Sequence, residues 1–318
     1  MGIFRFARRA RGVAALAVGG ALLSGCAAIK HLHSDDRALA HARVGHVVVI
    51  SVDGLRPDAI EAAGAETLQR LIRQGAYSLR ARTIVPSKTL PSHTSMLTGV
   101  SPAKHGVTWN EDRVEETGRV KVPTVFDLAD SAGLHTAAFF GKAKFRHLMG
   151  TESLDYWATA PRGMEILPAP RMVEDVKRFV KYRSPQLMFI HIPDPDLAGH
   201  SAGWMSLPYR LAVRRADAAV REIWEIGQKR FGDDFVLIVT ADHGGHERTH
   251  GTEAAVDMTI PWIAWGKGVR AGSIPERITT YDTAATALWL LGIPSPPFWD
   301  GKPVTEAFIP AALLPAAP

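Results

Sequence analysis

Apolar and polar positions divide the chain into two kinds of segment that follow each other repeatedly. One kind is a short apolar run, rich in β-branched residues and ending in an acidic or glycine-containing turn. Such runs are typical of strands buried in a parallel sheet. Five of them predict strands: HVVVISV (46–52), LHTAAFF (134–140), QLMFIHI (186–192), DFVLIVT (234–240) and IPWIAWG (260–266).

Between the apolar runs lie stretches in which apolar residues recur every three or four positions, as in amphipathic helices. Pro57 opens the first of these stretches and Gly75 closes it, in agreement with the usual helix boundaries. The predicted helices fall within residues 57–75, 123–133, 171–182, 207–232 and 280–292. Strands that alternate with helices predict one α/β domain at residues 45–310, with a mostly parallel central sheet and helices on both faces.

The N-terminal segment has a different composition from the predicted domain. Four arginines and no acidic residue precede the apolar run GVAALAVGGALLSG (12–25). This layout predicts a secretory signal peptide at residues 1–25. The run is shorter than the about 20 apolar residues that a membrane-spanning helix needs.

Cys26 is the only cysteine, which excludes an intramolecular disulfide and a thiolate zinc site. Its sequence context, LLSGC, resembles a lipobox, in which the cysteine becomes the lipidated first residue of a bacterial lipoprotein. We expect a tether at residues 26–44, a tail at 311–318, and an anchor in the periplasmic face of the outer membrane, which Ala27 after the cysteine favours. The alternative is a small buried cysteine beside a cleavage site.

Charge gives no support for nucleic-acid binding. The formal net charge is +5, but removal of residues 1–25 takes away four arginines and leaves 33 Lys and Arg against 32 Asp and Glu. A nearly neutral chain without a basic tract has no surface of the kind that binds DNA or RNA.

Candidate chemistry lies where the predicted strands end. Asp53 follows the first strand, Asp194 and Asp196 follow the third, and Asp242 follows the fourth. Ligands of open α/β sheets bind beyond the carboxyl ends of the strands, so we expect these carboxylates to converge. Taken singly, each aspartate is equally readable as a turn or cap residue.

Four histidines accompany these carboxylates in the segments DPDLAGH (194–200) and ADHGGHERTHG (241–251). Carboxylate and imidazole ligands suit Zn²⁺ or a similar divalent ion. The set is too large for one tetrahedral ion, which predicts two ions about 4 Å apart. A lone histidine is otherwise a surface or packing residue. The histidines are His200, His243, His246 and His250.

An ordered set of motifs resembles the alkaline phosphatase superfamily, and within it the type I phosphodiesterase/nucleotide pyrophosphatase family. The motifs are SVDGLRPD (51–58), VPSKTLPSHTSMLTG (85–99), HGVTWN (105–110), PDPDLAGH (193–200), ADHGGHERTHG (241–251) and TYDTAATALWLLGIPSP (280–296). The resemblance implies an alkaline phosphatase-like fold, two zinc ions and a covalent phosphoryl-enzyme intermediate. It also implies a small phosphoester or nucleotide-like substrate.

Carried onto this sequence, the resemblance assigns ligands to each zinc ion. One ion is expected to be held by Asp53, Thr89, Asp242 and His243, and the other by Asp196, His200 and His250. Thr89 is expected to be the nucleophile, with its hydroxyl activated by the metal. Asn110 is expected to donate to a phosphoryl oxygen.

Three alternatives remain at these positions. Asp194 competes with Asp196, and His246 competes with His250 as the last ligand of the second ion. Thr89 also reads as the cap of the helix that follows it, whose N-terminal amides are expected to face the phosphate.

The expected substrate is a phosphodiester or pyrophosphate, because the HGVTWN segment and its surroundings offer few cations for a dianionic phosphoryl group. A phosphomonoesterase or phosphonate hydrolase with the same site is the first alternative. A non-catalytic metal-binding lipoprotein is the second. Thr89 is followed by Leu-Pro-Ser, which disfavours the C/S-x-P-x-R pattern that a sulfatase needs.

Overall fold

The computed structural model describes residues 5–6, 43–149, 152–160 and 164–310. Cys26, the tail at 311–318 and nearly all of the expected leader and tether lie outside the described residues. No helix in these ranges combines the length and apolarity that crossing a bilayer requires. The described strands are β1 (Arg5–Phe6), β2 (His46–Val52), β3 (Ala76–Arg82), β4 (Thr136–Phe139), β5 (Tyr156–Ala158), β6 (Leu187–Ile192), β7 (Phe235–Thr240), β8 (Thr259–Gly266) and β9 (Gly272–Ser273).

These strands form one sheet in the order β1-β5-β4-β6-β2-β7-β8-β3-β9. In the described part of the chain, five neighbouring pairs are parallel and three are antiparallel, which confirms the predicted mostly parallel sheet. Strand β2 is central, and Val49 lies opposite Phe189 of β6 and Ile238 of β7. The predicted strand at 260–266 is present but runs antiparallel to β7. Strands β3 and β5 were not predicted.

The described α-helices connect and cover these strands. They are α1 (Pro57–Ala62), α2 (Glu66–Gln74), α3 (Thr89–Thr98), α4 (Pro102–His105), α5 (Val114–Thr117), α6 (Val125–Ser131), α7 (Ala169–Val180), α8 (Asp194–Ala202), α9 (Leu207–Phe231), α10 (Ala255–Met258) and α11 (Asp282–Leu290). Short 3-10 helices lie at Ala143–Leu148 and Thr305–Ala307.

The single helix predicted at residues 57–75 is wrong. The chain forms α1 and α2 instead, with a break at Gly64, whose φ is +63°. A left-handed backbone costs glycine little, whereas it cannot continue a right-handed helix. The apolar pattern runs through the break because both helices bury the same face against the sheet and α9.

Helices pack on the sheet in two groups. Helix α9 contacts α2, α7 and α8, whereas α11 contacts α3 and α6. Every residue of β2 from Val47 to Val52 is buried. Because successive side chains of a strand point to opposite faces, both faces of the central sheet are covered.

This topology positions the candidate site. Strands β6, β2 and β7 are adjacent and parallel, so the residues that follow them meet at one edge of the sheet. Asp53 directly follows β2, Asp196 lies in the first turn of α8 after β6, and Asp242 lies two residues beyond β7.

Candidate metal centre

Three buried carboxylates converge beyond the central strands, as predicted. Asp53 and Asp242 are completely buried, and Asp196 is 2% exposed. Each has one oxygen with no hydrogen-bond partner among the described residues: Asp53 Oδ1, Asp196 Oδ1 and Asp242 Oδ2. A buried charged oxygen without a partner carries a large desolvation penalty, so its presence indicates a site for a cation.

The inner half of the centre comprises Asp53, Asp242, His243 and Thr89. His243 Nε2 lies 3.3 Å from Asp53 Oδ1, 3.2 Å from Asp242 Oδ2 and 3.4 Å from Thr89 Oγ1. The other ring nitrogen, Nδ1, donates to the Gly244 carbonyl at 2.8 Å. The ring is therefore oriented with Nε2 towards the unpartnered carboxylate oxygens.

The outer half comprises Asp196, His200 and His250. Asp196 Oδ1 lies 3.4 Å from His200 Nε2 and 3.6 Å from His250 Nε2. His200 Nδ1 donates to the Arg248 carbonyl at 3.0 Å, and His250 Nδ1 donates to the Ser87 carbonyl at 2.9 Å. Since Nδ1 carries the proton of each neutral ring, the two Nε2 atoms, 3.1 Å apart, face each other with their lone pairs. Two facing lone pairs are the arrangement of ligands around a cation.

Helix α8 brings Asp196 and His200 onto one face, because residues four apart lie on successive turns. Gly199 lies inside this helix, between Asp196 and His200. A glycine is needed there for packing: a Cβ would lie 2.7 Å from the Trp204 ring. The Trp204 ring is 5.2 Å from the ring of His200 and 5.8 Å from that of His250. Trp204 therefore supports both histidines of the outer half.

The residues fit two divalent metal ions. Asp53, Asp242 and His243 bring ligand atoms within 4.8 Å of one another, and so do Asp196, His243 and His250. The donors are carboxylate oxygens and imidazole nitrogens without sulfur, which suits zinc and similar ions. The unpartnered oxygens and facing nitrogens thus agree with the two-ion site predicted from the sequence.

Electrostatics in the centre also favour cations. Burial opposes a charge on His243, but Asp242, Asp53 and Asp196 together raise its pKa to about 9. Burial and the neighbouring His243 lower the pKa of His250 to about 3, which keeps that ring neutral and able to coordinate a metal. An environment that favours a proton on His243 favours a divalent ion more strongly.

Helix α3 begins at Thr89, which is 1% exposed. Asn110 Oδ1 accepts from the backbone amide of Leu90 at 2.9 Å, so the Asn110 amide group keeps its two hydrogens for another acceptor. The helix terminus contributes less than predicted, because the amide of Leu90 is already used and Pro91 has none. The Asn110 side chain therefore places two N–H donors near the start of helix α3.

The two alternative ligands, Asp194 and His246, have partners outside the candidate metal centre. Asp194 accepts from the amide of Ala169 at 2.9 Å, at the start of α7. His246 pairs through Nδ1 with Asp257 Oδ1 at 2.7 Å. Neither residue belongs to the two groups of candidate ligands in the described part of the chain.

Two further residues, His191 and Lys142, contact the carboxylates from behind. His191 accepts from the Gly141 amide at Nδ1, so its Nε2 donates to Asp53 Oδ2 at 2.9 Å. Lys142 Nζ lies 2.6 Å from both Asp53 Oδ2 and Asp196 Oδ2. Lys142 comes three residues after the end of β4, so the strand-end argument used for the aspartates would have located it.

Comparison with known proteins places this geometry in context. A profile of the type I phosphodiesterase/nucleotide pyrophosphatase family matches residues 47–259. Mouse GPI ethanolamine phosphate transferase 1 is 23% identical over 293 residues, which are 83% of this chain and 30% of that protein. Human ectonucleotide pyrophosphatase/phosphodiesterase family member 1 is 24% identical over 217 residues, 62% of this chain and 23% of that protein. The chain spans less than a third of either relative.

Solved structures share the fold at low sequence identity. Murine ectonucleotide pyrophosphatase/phosphodiesterase 5, described as inactive with a threonine-to-alanine substitution and in complex with AMP, has a TM-score of 0.70. It covers 83% of this chain and 100% of its own, at 15% identity. A 2-O GAG sulfatase has a TM-score of 0.65 at 14% identity, covering 83% of this chain and 74% of its own. These similarities confirm the predicted alkaline phosphatase-like fold.

Proposed function

The chain belongs to the type I phosphodiesterase/nucleotide pyrophosphatase family, and from this premise we propose that it is a metal-dependent phosphoric ester hydrolase with Thr89 as nucleophile. The observation that carries the proposal is the convergence of unpartnered carboxylate oxygens on His243 Nε2, which also lies 3.4 Å from the Thr89 hydroxyl. A binding protein without turnover has no need for a buried hydroxyl among metal ligands, so this arrangement favours an enzyme.

Each half of the centre would hold one divalent ion, most simply zinc. Asp53, Thr89, Asp242 and His243 would hold the inner ion. The outer ion would be held by Asp196, His200 and His250. When bound, the ions supply Lewis-acid chemistry, lowering the pKa of the nucleophile's hydroxyl and stabilising negative charge on the departing oxygen.

The proposed reaction consists of two successive displacements at phosphorus, in which Thr89 and Asn110 have different roles. Thr89 loses its hydroxyl proton and its Oγ1 forms a bond to phosphorus, while the bond from phosphorus to the leaving oxygen breaks and that oxygen is protonated. Asn110 donates its free amide hydrogens to a phosphoryl oxygen, where charge develops in the transition state. A water oxygen then forms a bond to phosphorus, the phosphorus–Oγ1 bond breaks, and Thr89 regains its proton.

The substrate is proposed to be a phosphodiester or pyrophosphate with a nucleotide-like group. This choice follows the family description and the AMP bound to the murine structural neighbour. The threonine-to-alanine substitution in that inactive neighbour supports a threonine nucleophile. Phosphomonoesters and phosphonates are the competing substrates.

Transfer to an alcohol is a second candidate reaction. The alignment with mouse GPI ethanolamine phosphate transferase 1 covers 83% of this chain, more than the 62% covered by the human phosphodiesterase relative. The first displacement would be the same, and an alcohol would replace water in the second.

One assay separates these reactions. We would measure p-nitrophenolate release from p-nitrophenyl phosphate, bis-p-nitrophenyl phosphate and p-nitrophenyl phenylphosphonate by the metal-stripped and zinc-loaded chain. Zinc-dependent release, greatest with the diester and absent in Thr89→Ala, is the expected result. Added glycerol or ethanolamine reveals transfer, because the phosphoryl group then appears on the alcohol. Stoichiometric zinc binding without turnover on any substrate would contradict the proposal.

Export and lipidation complete the proposed function. Cys26 is proposed to carry acyl chains that hold the catalytic domain at the periplasmic face of the outer membrane. Globomycin treatment and the Cys26→Ser variant should both shift the protein out of the membrane fraction. Unchanged fractionation under both conditions would contradict the anchor.

A further inference from the structure

Lys142 connects the two halves of the centre. Its side chain is only 7% exposed, although lysine is almost never buried without a partner. The ammonium lies 2.6 Å from Asp53 Oδ2 in the inner half and 2.6 Å from Asp196 Oδ2 in the outer half. No other lysine or arginine side chain in the described residues forms an ion pair with a carboxylate from each half.

The contacts are on the far side of the carboxylates from the candidate metal positions. Lys142 holds the Oδ2 atoms, whereas the unpartnered atoms that face the imidazoles are Oδ1 of Asp53 and Oδ1 of Asp196. Rotation about the last side-chain bond of an aspartate is soft, so a partner on one oxygen fixes the direction of the other. Lys142 thus restricts the rotation of both carboxylates and leaves Oδ1 of Asp53 and Oδ1 of Asp196 available to bind metal.

The charge of Lys142 is suited to this position. Three carboxylates lie within the buried centre, and the Lys142 ammonium contacts two of them at 2.6 Å. Unlike a metal ion it cannot dissociate, because it is attached to the chain two residues beyond Phe140.

We propose that Lys142 is a positioning residue whose side chain links one ligand of each metal ion and orients both ligands before metal binds. The inference rests on the proposed two-ion centre. The metal content of the wild-type protein tests that centre, whereas the variants below test the lysine.

Lys144 provides a matched control. It lies in the same 3-10 helix region, is partly buried, and its ammonium has no hydrogen bond or ion pair in the described part of the chain. Lys144→Met removes the same charge two residues away without removing a contact to either carboxylate. Comparison with Lys142→Met separates the contact from the loss of one positive charge.

The experiment is a zinc titration of the metal-stripped full-length chain. Each variant is also measured in an Asp242→Asn background, to isolate the outer half, and in a His200→Ala background, to isolate the inner half. We expect Lys142→Met to weaken zinc binding in both backgrounds by about 10–100-fold, as for other partners that orient metal ligands. Lys144→Met should change it by less than about threefold in each.

Two results would overturn the proposal. Tighter zinc binding by Lys142→Met would mean that the ammonium only repels metal. Weakening confined to one background would mean that it does not link the halves. A wild-type chain that binds no zinc would instead contradict the proposed centre itself.

Lys142→Arg keeps the test valid if the methionine variant does not fold. The planar guanidinium fork keeps the charge but cannot hold two carboxylates at the geometry of a single ammonium nitrogen. We expect the Co²⁺-loaded arginine variant to show shifted visible absorption bands, which report ligand geometry. A Co²⁺ spectrum identical to that of the wild type would overturn the orienting role.

Discussion

The inner and outer halves of the centre differ in their access to solvent. Asp53, Asp242 and His243 of the inner half are completely buried. In the outer half the side chain of His200 is 46% exposed, although that of His250 is only 5% exposed. Thr89, the proposed nucleophile, therefore belongs to the buried half, and we expect a leaving group to depart and water to arrive on the side of the exposed half.

The two halves are also built on different supports. Three of the inner candidate ligands, Asp53, Asp242 and His243, follow β2 and β7, adjacent strands at the middle of the sheet, so their backbone is fixed by the core. Outer ligands come from helix α8 and the segment that ends at His250, and both contact Trp204. We infer that the inner half keeps its geometry more strictly, whereas the outer half depends on side-chain packing.

Thr89→Ala is the change with the largest expected effect on turnover. Without the hydroxyl no phosphoryl-threonine forms, so kcat/KM should fall by at least about 10³-fold on every substrate. Both metal ions should remain, because six protein ligands are unchanged. Steady-state rates and metal analysis check this, and Thr89→Ser, which restores a hydroxyl, should recover part of the activity. Substantial turnover by the alanine variant would assign the nucleophile elsewhere.

Removing one ligand from each half tests whether the halves are separable. Asp242→Asn should abolish the inner ion and turnover together, because the asparagine lacks the charge that balances the ion. His200→Ala should abolish the outer ion but leave the inner ion bound, with kcat reduced by at least about 100-fold.

The rate of metal loss gives a second measurement of the same difference. A chelator such as dipicolinate should remove the outer ion from the wild type faster than the inner one, since His200 is exposed. If the chelator released both ions in one phase, the two halves would not differ in accessibility. If Asp242→Asn and His200→Ala lost the same ion, the halves would not be separate metal sites.

Residues of the inner half could largely be located from the sequence. The strand pattern predicts Asp53 and Asp242 at one edge, because parallel strands place their ends together. Thr89 and Asn110 come only from the family resemblance, since neither follows a predicted strand. Their proximity depends on how α3 and the HGVTWN segment fold back, which local patterns do not encode.

The outer half shows why the remaining features were not predictable. The glycine at position 199 of helix α8 is explained by the close approach of Trp204, a tertiary contact that local patterns do not encode. Lys142 follows strand β4, but its contacts with Asp53 and Asp196 depend on the path of the chain beyond that strand. The choice between His246 and His250 depends on the path of a loop whose sequence permits either.

Gly199→Ala should affect the outer half alone. The added Cβ would lie 2.7 Å from the Trp204 ring, so the ring or helix α8 must move. We expect a loss of about 1–3 kcal/mol in the free energy of unfolding, typical of overpacking, and weaker outer metal binding with the inner ion unaffected. Chemical denaturation and metal titration measure both. Ser201→Ala, at an exposed position of the same helix, should change neither the free energy of unfolding nor metal binding. Equal weakening of both metal sites in Gly199→Ala would show that both halves depend on the packing of Trp204.

The smallest effect is expected for His246→Ala, which tests the boundary of the outer half. His246 pairs with the buried Asp257, but that carboxylate keeps hydrogen bonds from the amide and hydroxyl of Thr252. Because Thr252 donates to Oδ2 and His246 pairs with Oδ1, the variant leaves Oδ1 without this partner; we expect a loss of about 1–3 kcal/mol in the free energy of unfolding with two ions still bound. His250→Ala, the paired variant, should lose the outer ion, since His250 Nε2 faces His200 Nε2 at 3.1 Å. If His246→Ala lost the ion and His250→Ala retained it, the two histidines would exchange roles, and the outer half would extend towards α10.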